Sequence, residues 1–236
     1  MDTLVVLESS RGSLHRLSKE AIAGAKSLGG TVSVLTIGKD ADSIAQELSG
    51  VQLDEILIVK NEYVESYNAD GYAEIVSQVI QSESPKNIVL GHTYQTRDFV
   101  PRVSARLDIP FIPDIISLSE SSFVKQVLNA KLNASISSTN DQVILSFQSA
   151  AFSDENLEAG SSEVRLLNIN LDSTIVRSKS EDPFQEEAGD VDLESAEILV
   201  SVGRGIEKED NIPIAFELAK VLNAEVSASR PVVDAG

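Results

Sequence analysis

The first 107 residues alternate four times between a short apolar run and a segment with helical spacing of apolar residues. This alternation restricts the possible folds more than any other feature. The four runs are TLVVLES (3–9), TVSVLTIG (31–38), EILIVK (55–60) and NIVLGH (87–92). Unbroken apolar runs are typical of strands that are covered on both faces. Four strand–helix units in succession therefore predict an α/β fold, with a mostly parallel sheet, right-handed crossovers and helices on both faces.

The helical segments follow these runs over about 13–28, 42–48, 69–82 and 98–107. A glycine pair at 29–30 indicates the end of the first helix, because glycine readily adopts the left-handed conformation found at helix ends. Asp98 is expected to cap the fourth helix. That start would place Pro101 in the first turn, where the missing N–H costs little.

The pattern changes in VLNAKLNASISS (127–138), where every second residue is apolar. Such strict alternation predicts a half-exposed antiparallel strand. We expect QVILSFQSAAF (142–152) and EVRLLNINL (163–171) to be its partners. The first domain is thus predicted to be mostly parallel with antiparallel additions late in the chain.

A dense acidic stretch, SEDPFQEEAGDVDLESAE, spans residues 180–197 and contains no lysine or arginine. Its few core-forming residues indicate a linker or hinge. The strand–helix pattern then restarts and continues to residue 236. We therefore predict a mixed α/β assembly domain at 1–179, the acidic linker at 180–197 and an α/β domain at 198–236. The last is shorter than the roughly 50 residues that a domain usually needs, so we expect it to be incomplete.

Composition excludes several classes of function. The chain has no cysteine and only two histidines, His15 and His92, so thiol chemistry, disulfides and multi-histidine metal sites are excluded. A net charge of −18 argues against nucleic-acid binding and favours solubility or a basic partner. The N-terminus does not have the pattern of a secretory signal, and no apolar run is long enough to insert into a membrane.

Two neighbouring strand ends carry the most suggestive site residues. VSVGRGI (200–206) places Gly203, Arg204 and Gly205 at the carboxyl end of one strand, just before a helix. SASR (227–230) ends the next strand with Arg230. Ligands of open α/β sheets bind at this edge, and two arginines there favour an anionic ligand. The alternatives are a plain tight turn and arginines paired with nearby carboxylates.

A second polar loop, in GHTYQTRDFVPRVSARL (91–107), has two interpretations. Its backbone N–H groups could bind phosphate, or Arg97, Arg102 and Arg106 could form a solvated helix face. His92 lies in no Ser-His-Asp arrangement that the sequence reveals. No nucleophile elbow, Walker A loop or zinc-ligand spacing is present, so no catalytic residue is predicted.

Several stretches together resemble the alpha subunit of electron-transfer flavoproteins over essentially the whole chain. They are TLVVLE near the N-terminus, 89–115, 123–136, and VSVGRGI followed by a helix and AEVSASRPVVDAG (224–236). The last combination is the most specific, because the family's flavin domain has the same gap between the two arginines.

The resemblance implies an electron carrier rather than an enzyme. It implies FAD as cofactor and a heterodimer with the beta subunit of an electron-transfer flavoprotein. The expected transient partners are flavin dehydrogenases and a membrane quinone oxidoreductase or another acceptor. The expected location is the bacterial cytoplasm, or the mitochondrial matrix if a transit peptide was removed. AMP in such proteins generally lies in the beta subunit, so the first domain here would be an assembly scaffold.

By position in the resembling stretches, Arg204 and Ser229 correspond to residues that contact FAD, and Arg230 to the arginine set against the isoalloxazine ring. A fixed cation there favours anionic reduced forms of the flavin and raises its potential. Family members continue past the position where this sequence stops. We therefore expect a chain truncated within the FAD domain, which by itself binds FAD weakly or not at all.

Two other interpretations stay open at this stage. In the first, the chain is a nucleotide-binding enzyme or sensor that uses the sheet of the first domain. In the second, it is a pure assembly module that retains only docking to a beta subunit. Nucleotide binding by residues 1–190 would favour the first.

Overall fold

The computed structural model describes residues 1–119, 122–181, 193 and 196–234. The chain divides into two compact units, Met1–Ser180 and Glu181–Gly236, and each is described by itself. Most of the predicted acidic linker at 180–197 lies outside the described residues. Within the described residues, no helix has both the length and the apolar character needed to cross a bilayer.

The first unit is built on a large, mostly parallel sheet. Its strands are β1 Thr3–Val6, β2 Ser9–Ser10, β3 Ser13–Leu14, β4 Val32–Ile37, β5 Glu55–Val59, β6 Asn87–Gly91, β7 Phe111–Ser119, β8 Ser122–Val127, β9 Leu132–Ile136, β10 Val143–Phe147 and β11 Glu163–Leu167. Its helices are α1 Arg16–Ser27, α2 Ala41–Leu48, α3 Ala69–Glu83 and α4 Tyr94–Leu107. Nine of the described strands form one sheet in the order β11-β5-β4-β1-β6-β10-β7-β8-β9, and β2 pairs with β3 in a small hairpin.

The core lies on both faces of this sheet, which explains the unbroken apolar runs. Within β1, Leu4 belongs to the cluster that packs on α3 and α4, whereas Val5 belongs to the cluster on α1 and α2. Both are fully buried. Successive side chains of a strand point to opposite faces, so a strand covered by helices on each side must be apolar at every position. The predicted α/β class is confirmed.

The expected start of the fourth helix is wrong. The helix α4 begins at Tyr94, and the side chain of Thr93 caps it by accepting a hydrogen bond from the Thr96 N–H at 3.1 Å. Pro101 therefore lies inside the helix rather than in its first turn. It is exposed, so water can reach the Arg97 carbonyl that the proline leaves without its helical donor.

The single strand expected at 127–138 is also wrong, because a turn interrupts it. Leu128, Asn129 and Ala130 have φ values of 53°, 55° and 61°, and they join β8 to β9 in an antiparallel hairpin. Leu128 is 69% exposed. The alternation of apolar and polar residues continues through the turn, although the chain reverses its direction there.

The two later strands pair differently from the prediction. The strand β10 lies in the middle of the sheet and is parallel to both β6 and β7, while β11 lies at the far edge and is parallel to β5. Neither is an antiparallel partner of β9 in the described residues. All five residues of β10 are buried, and such a strand requires cover on both faces and therefore a central position.

The second unit contains two parallel strands and two helices among its described residues. These are β12 Leu199–Val202, α5 Ile212–Leu222, β13 Glu225–Ala228 and α6 Arg230–Val233. Helix α5 buries Ala215 and Ala219, and Val202 is the buried residue of β12. Small residues on the inner face of α5 allow a close approach between helix and strands.

Candidate functional site

The carboxyl ends of β12 and β13 lie side by side. The parallel register pairs Val202 with Ala228, and the Ser229 N–H continues the ladder by donating to the Val202 carbonyl at 2.9 Å. Arg204 and Arg230 each follow within two residues of this last pair, so both lie just past the same end of the two strands. The three residues singled out from the sequence therefore share one edge, where open α/β sheets bind their ligands.

The segment after β12 is a compact loop rather than a direct entry into a helix. Gly203 is extended (φ −112°, ψ 177°), and Arg204–Ile206 form a single 3-10 turn closed by the Ile206 N–H on the Gly203 carbonyl at 3.0 Å. A second 3-10 turn follows at Glu209–Asn211. The expectation that the glycine turn immediately precedes a helix is wrong, because α5 begins only at Ile212.

Within the described residues, neither backbone conformation nor packing requires the two glycines of this loop. Gly203 and Gly205 do not have positive φ, and a Cβ added at either would meet no atom within 4 Å. Gly24 differs, because a Cβ there would lie 2.4 Å from the ring of Phe147. Gly50 is equally open, so the missing Cβ by itself does not mark a site, but at a strand end it leaves room for a ligand to approach the backbone closely.

The three polar side chains at this edge are all exposed. Arg230 is 89% exposed and lies 3.5 Å from the carboxylate of Asp234, one helical turn ahead. Arg204 forms no salt bridge with a residue in the described part of the chain. Ser229 precedes α6 in extended conformation, and its hydroxyl makes no capping hydrogen bond. The alternative of arginines paired with carboxylates thus holds for Arg230, in a weak exposed pair, and not for Arg204.

The equivalent edge of the first unit is filled by its own side chains. The topological switch point lies between β1 and β6, because β4 and β5 extend the sheet to one side of β1 and β6 to the other. There the Thr93 hydroxyl donates to the Glu8 carboxylate at 2.6 Å, and the Glu8 N–H donates to Ser18 Oγ at 2.9 Å. The remaining cavity is about 10 Å³, room for about one water molecule. A carboxylate at this point repels phosphate.

The other polar residues considered from the sequence have structural partners. Arg102 pairs with Asp70 at 2.9 Å, Arg106 pairs with Glu74 at 2.6 Å, and Arg97 lies 5.4 Å from the centre of the Tyr94 ring. These contacts match the interpretation of a solvated helix face.

His92 is also part of a local polar cluster. Its Nδ1 lies 2.8 Å from Ser146 Oγ, and burial lowers its pKa. Ser146 also accepts a hydrogen bond from the Asp114 N–H at 3.3 Å. Among the described residues, no group of histidine, aspartate and glutamate side chains could hold a metal ion.

Two family models match the sequence of this chain. The electron transfer flavoprotein domain matches residues 3–171, and the electron transfer flavoprotein FAD-binding domain matches residues 192–236. The second match contains the whole edge formed by Arg204, Ser229 and Arg230.

Curated relatives match almost the entire chain. One is the electron transfer flavoprotein subunit alpha of Bacillus subtilis (strain 168), 31% identical over 98% of this chain and 73% of the relative. A second is the probable electron transfer flavoprotein subunit alpha, mitochondrial, of Caenorhabditis elegans, 30% identical over 99% of this chain and 70% of the relative. The Pseudomonas aeruginosa electron transfer flavoprotein subunit alpha is 26% identical over 100% of this chain and 76% of the relative.

Proposed function

This chain belongs to the electron transfer flavoprotein family as an alpha subunit, and on that premise we propose that FAD binds at the carboxyl edge of β12 and β13. Arg204, Ser229 and Arg230 are the proposed contacts. The observation that carries this assignment is the shared edge at which the parallel strands β12 and β13 end, because it groups the three residues inside the match to the FAD-binding domain. Gly203 and Gly205 leave the backbone of this edge open. An approaching cofactor accounts for both glycines.

The residues of this edge suit an anionic, redox-active cofactor. FAD, when bound, accepts and releases electrons while its pyrophosphate stays negatively charged. Arg204 has an exposed guanidinium that makes no salt bridge with the described residues, so it can pair with phosphate without breaking a contact. The Ser229 hydroxyl lacks a capping hydrogen bond and can donate to the cofactor. Arg230 would hold positive charge near the ring and favour electron uptake.

The remaining roles are proposed from family membership. The chain would pair with a beta subunit, accept electrons from flavin dehydrogenases and pass them to a quinone oxidoreductase or another acceptor. It would act as a carrier without transforming a substrate, in a bacterial cytoplasm or a mitochondrial matrix. Residues 1–179 would serve as the assembly domain, 180–197 as a hinge and 198–236 as part of the FAD domain.

Specific observations weigh against the two other interpretations. A nucleotide site in the first unit is disfavoured by the Glu8 carboxylate and by a cavity of about 10 Å³ at the switch point. A pure assembly module is disfavoured because the match to the FAD-binding domain covers residues 192–236, which include both arginines of this edge.

The proposal is tested by titrating FAD into the chain co-purified with its partner subunit and following flavin fluorescence. We expect Arg204→Ala to weaken FAD binding roughly tenfold to a hundredfold, the range for losing a charged hydrogen bond. We expect Arg230→Ala to lower the flavin potential by about 30–60 mV for a two-electron couple. Lys220→Ala removes an exposed cation from α5 and should change neither value. Unchanged affinity and potential in both arginine variants would refute the site.

A further inference from the structure

The side chain of Asn211 contacts the loop that carries Arg204 instead of capping a helix. Asn211 occupies the N-cap position of α5 but makes no side-chain capping hydrogen bond. Its Nδ2 donates instead to the Ile206 carbonyl at 2.9 Å. Asn211 ends the 3-10 turn at Glu209–Asn211 with helical backbone angles (φ −89°, ψ −14°), so its side chain is available to the loop instead of to a helix cap.

The loop contains a strained residue at the point where Asn211 acts on it. Glu207 has φ 66° and ψ −46°, which is uncommon for a residue other than glycine. The Lys208 N–H donates to the Ile206 carbonyl at 2.8 Å, so residues 206–208 form a γ-turn of the rare, strained type. Such conformations persist only where surrounding contacts hold them, and they cluster at functional sites.

A short chain of hydrogen bonds connects this turn to Arg204. The Ile206 N–H donates to the Gly203 carbonyl at 3.0 Å, and the Glu207 N–H donates to the Arg204 carbonyl at 3.3 Å. The Ile206 peptide thus links Asn211 on one side to the 3-10 turn on the other. In contrast, the Arg204 side chain is exposed and has no salt bridge in the described residues that would hold it.

We propose that Asn211 is a positioning residue for FAD binding. Its side-chain amide holds the Ile206 carbonyl, keeps the Glu207 turn in its strained form and so presents Arg204 at the edge of β12. This inference rests on the proposed function, because it assigns Arg204 to the cofactor. Without the amide, Glu207 can relax to negative φ, and the 3-10 turn that carries Arg204 loses its fixed position.

The test is a double-mutant cycle with FAD affinity as readout, in the chain bound to its partner subunit. Asn211→Asp keeps the shape but replaces the donor with a carboxylate, which cannot donate to the Ile206 carbonyl. A carboxylate at the start of α5 is favoured by the helix dipole, so the unfolding midpoint should hold or rise. We expect FAD binding to weaken about tenfold, yet to change less than about twofold when Arg204→Ala is already present.

Each alternative outcome has a distinct meaning. Equal weakening in both backgrounds would overturn the inference, since a general structural defect or repulsion by the new carboxylate acts without Arg204. No weakening in either background would overturn it as well. If Arg204→Ala itself leaves FAD affinity unchanged, the contact proposed for Arg204 is refuted and the inference fails with it, whereas the FAD site itself is judged by both arginine variants together. If Asn211→Asp does not fold, Asn211→Ala is used in the same cycle, because it removes the donor without adding charge.

Discussion

At the scale of single residues, the glycines of this chain differ in whether packing within the described residues requires them. Gly24 lies within helix α1, where a Cβ would come 2.4 Å from the ring of Phe147 and 2.9 Å from the ring of Phe152. Phe147 is 1% exposed, and its ring packs against the ring of Phe152 with the two centres 4.5 Å apart, so moving it would disturb the core. Gly24 is thus explained by the core, whereas Gly203 and Gly205 are explained by nothing within the described chain.

Gly24→Ala tests the packing cause. Alanine would add about 1 kcal/mol of helix stability, but overpacking a rigid core costs about 1–3 kcal/mol. We therefore expect the first unit to lose roughly 1 kcal/mol, measured by urea unfolding. All four tyrosines lie at 63–94 and the chain has no tryptophan, so tyrosine fluorescence reports on this unit. Gly50→Ala, where a Cβ would meet no atom within 4 Å, is the matched control and should be neutral. Increased stability of Gly24→Ala would contradict the packing cause.

Of the candidate site, the grouping of its three residues could be predicted from the sequence, but the conformation of its loop could not. Arg204, Ser229 and Arg230 could be grouped from the sequence because each follows a strand, and parallel strands end at the same edge. The loop at 203–211 could not be predicted. Its conformation depends on positive φ at Glu207 and on the amide of Asn211, neither of which has a sequence signature. The separation of the glycine turn from α5 was missed for the same reason.

At the scale of elements, the sequence predicted the strands and helices that depend on local patterns and missed the features that depend on contacts between distant segments. The strands β1, β4, β5 and β6 and their helices were predicted because their apolar periodicity is local. The position of β10 was missed, although its buried run resembles the others, because pairing is decided by distant strands. The hairpin at 128–130 was missed because left-handed residues other than glycine give no clear signal.

The edge strand β11 is held by charge as well as by backbone pairing. Arg165 donates two hydrogen bonds to the carboxylate of Glu55 on β5 and two to the carboxylate of Glu83 on α3, at 2.6–3.1 Å. These hydrogen bonds hold the pKa of Glu83 below its ordinary value. The three side chains are 18–41% exposed, so water screens part of the interaction.

Arg165→Met tests this attachment and its dependence on pH. Methionine keeps the apolar part of the side chain but loses the ion pairs with Glu55 and Glu83. We therefore expect the free energy of unfolding, measured in urea at pH 7, to fall by about 1 kcal/mol. A carboxyl group with lowered folded pKa stabilises above its unfolded pKa and loses that effect as pH falls through the folded pKa. The difference between the two proteins should therefore shrink from pH 7 to pH 3. Arg177→Met is the control and should have a smaller effect, because the Arg177 side chain is 76% exposed and lies 3.6 Å from the Asp70 carboxylate. A difference that does not vary with pH would show that packing of Arg165, not charge, attaches β11.

At the scale of the whole molecule, the two α/β units differ at the carboxyl edges of their sheets, because side chains fill this edge in the first unit and leave it open in the second. In the first unit, Glu8 is hydrogen-bonded at the switch point to Ser18 through its N–H and to Thr93 through its carboxylate. In the second, Gly203 and Gly205 leave the edge open beside Arg204. A shared type of sheet therefore does not imply a shared ligand, since the residues at the strand ends decide what can bind.

This contrast predicts the response of the molecule to nucleotides. We expect AMP and ATP, titrated into the chain alone by calorimetry, to show no binding at the first unit up to millimolar concentration. The reason is that their phosphates would face the Glu8 carboxylate in a cavity of about 10 Å³. Repeating the titration with a variant that combines Arg204→Ala and Arg230→Ala distinguishes binding at the first unit from attraction of the phosphates to the second unit. Binding that survives this double variant would belong to the first unit and would revive the nucleotide-binding interpretation. Binding that disappears with it would instead be an anion effect of the proposed FAD edge, to which those two arginines contribute positive charge.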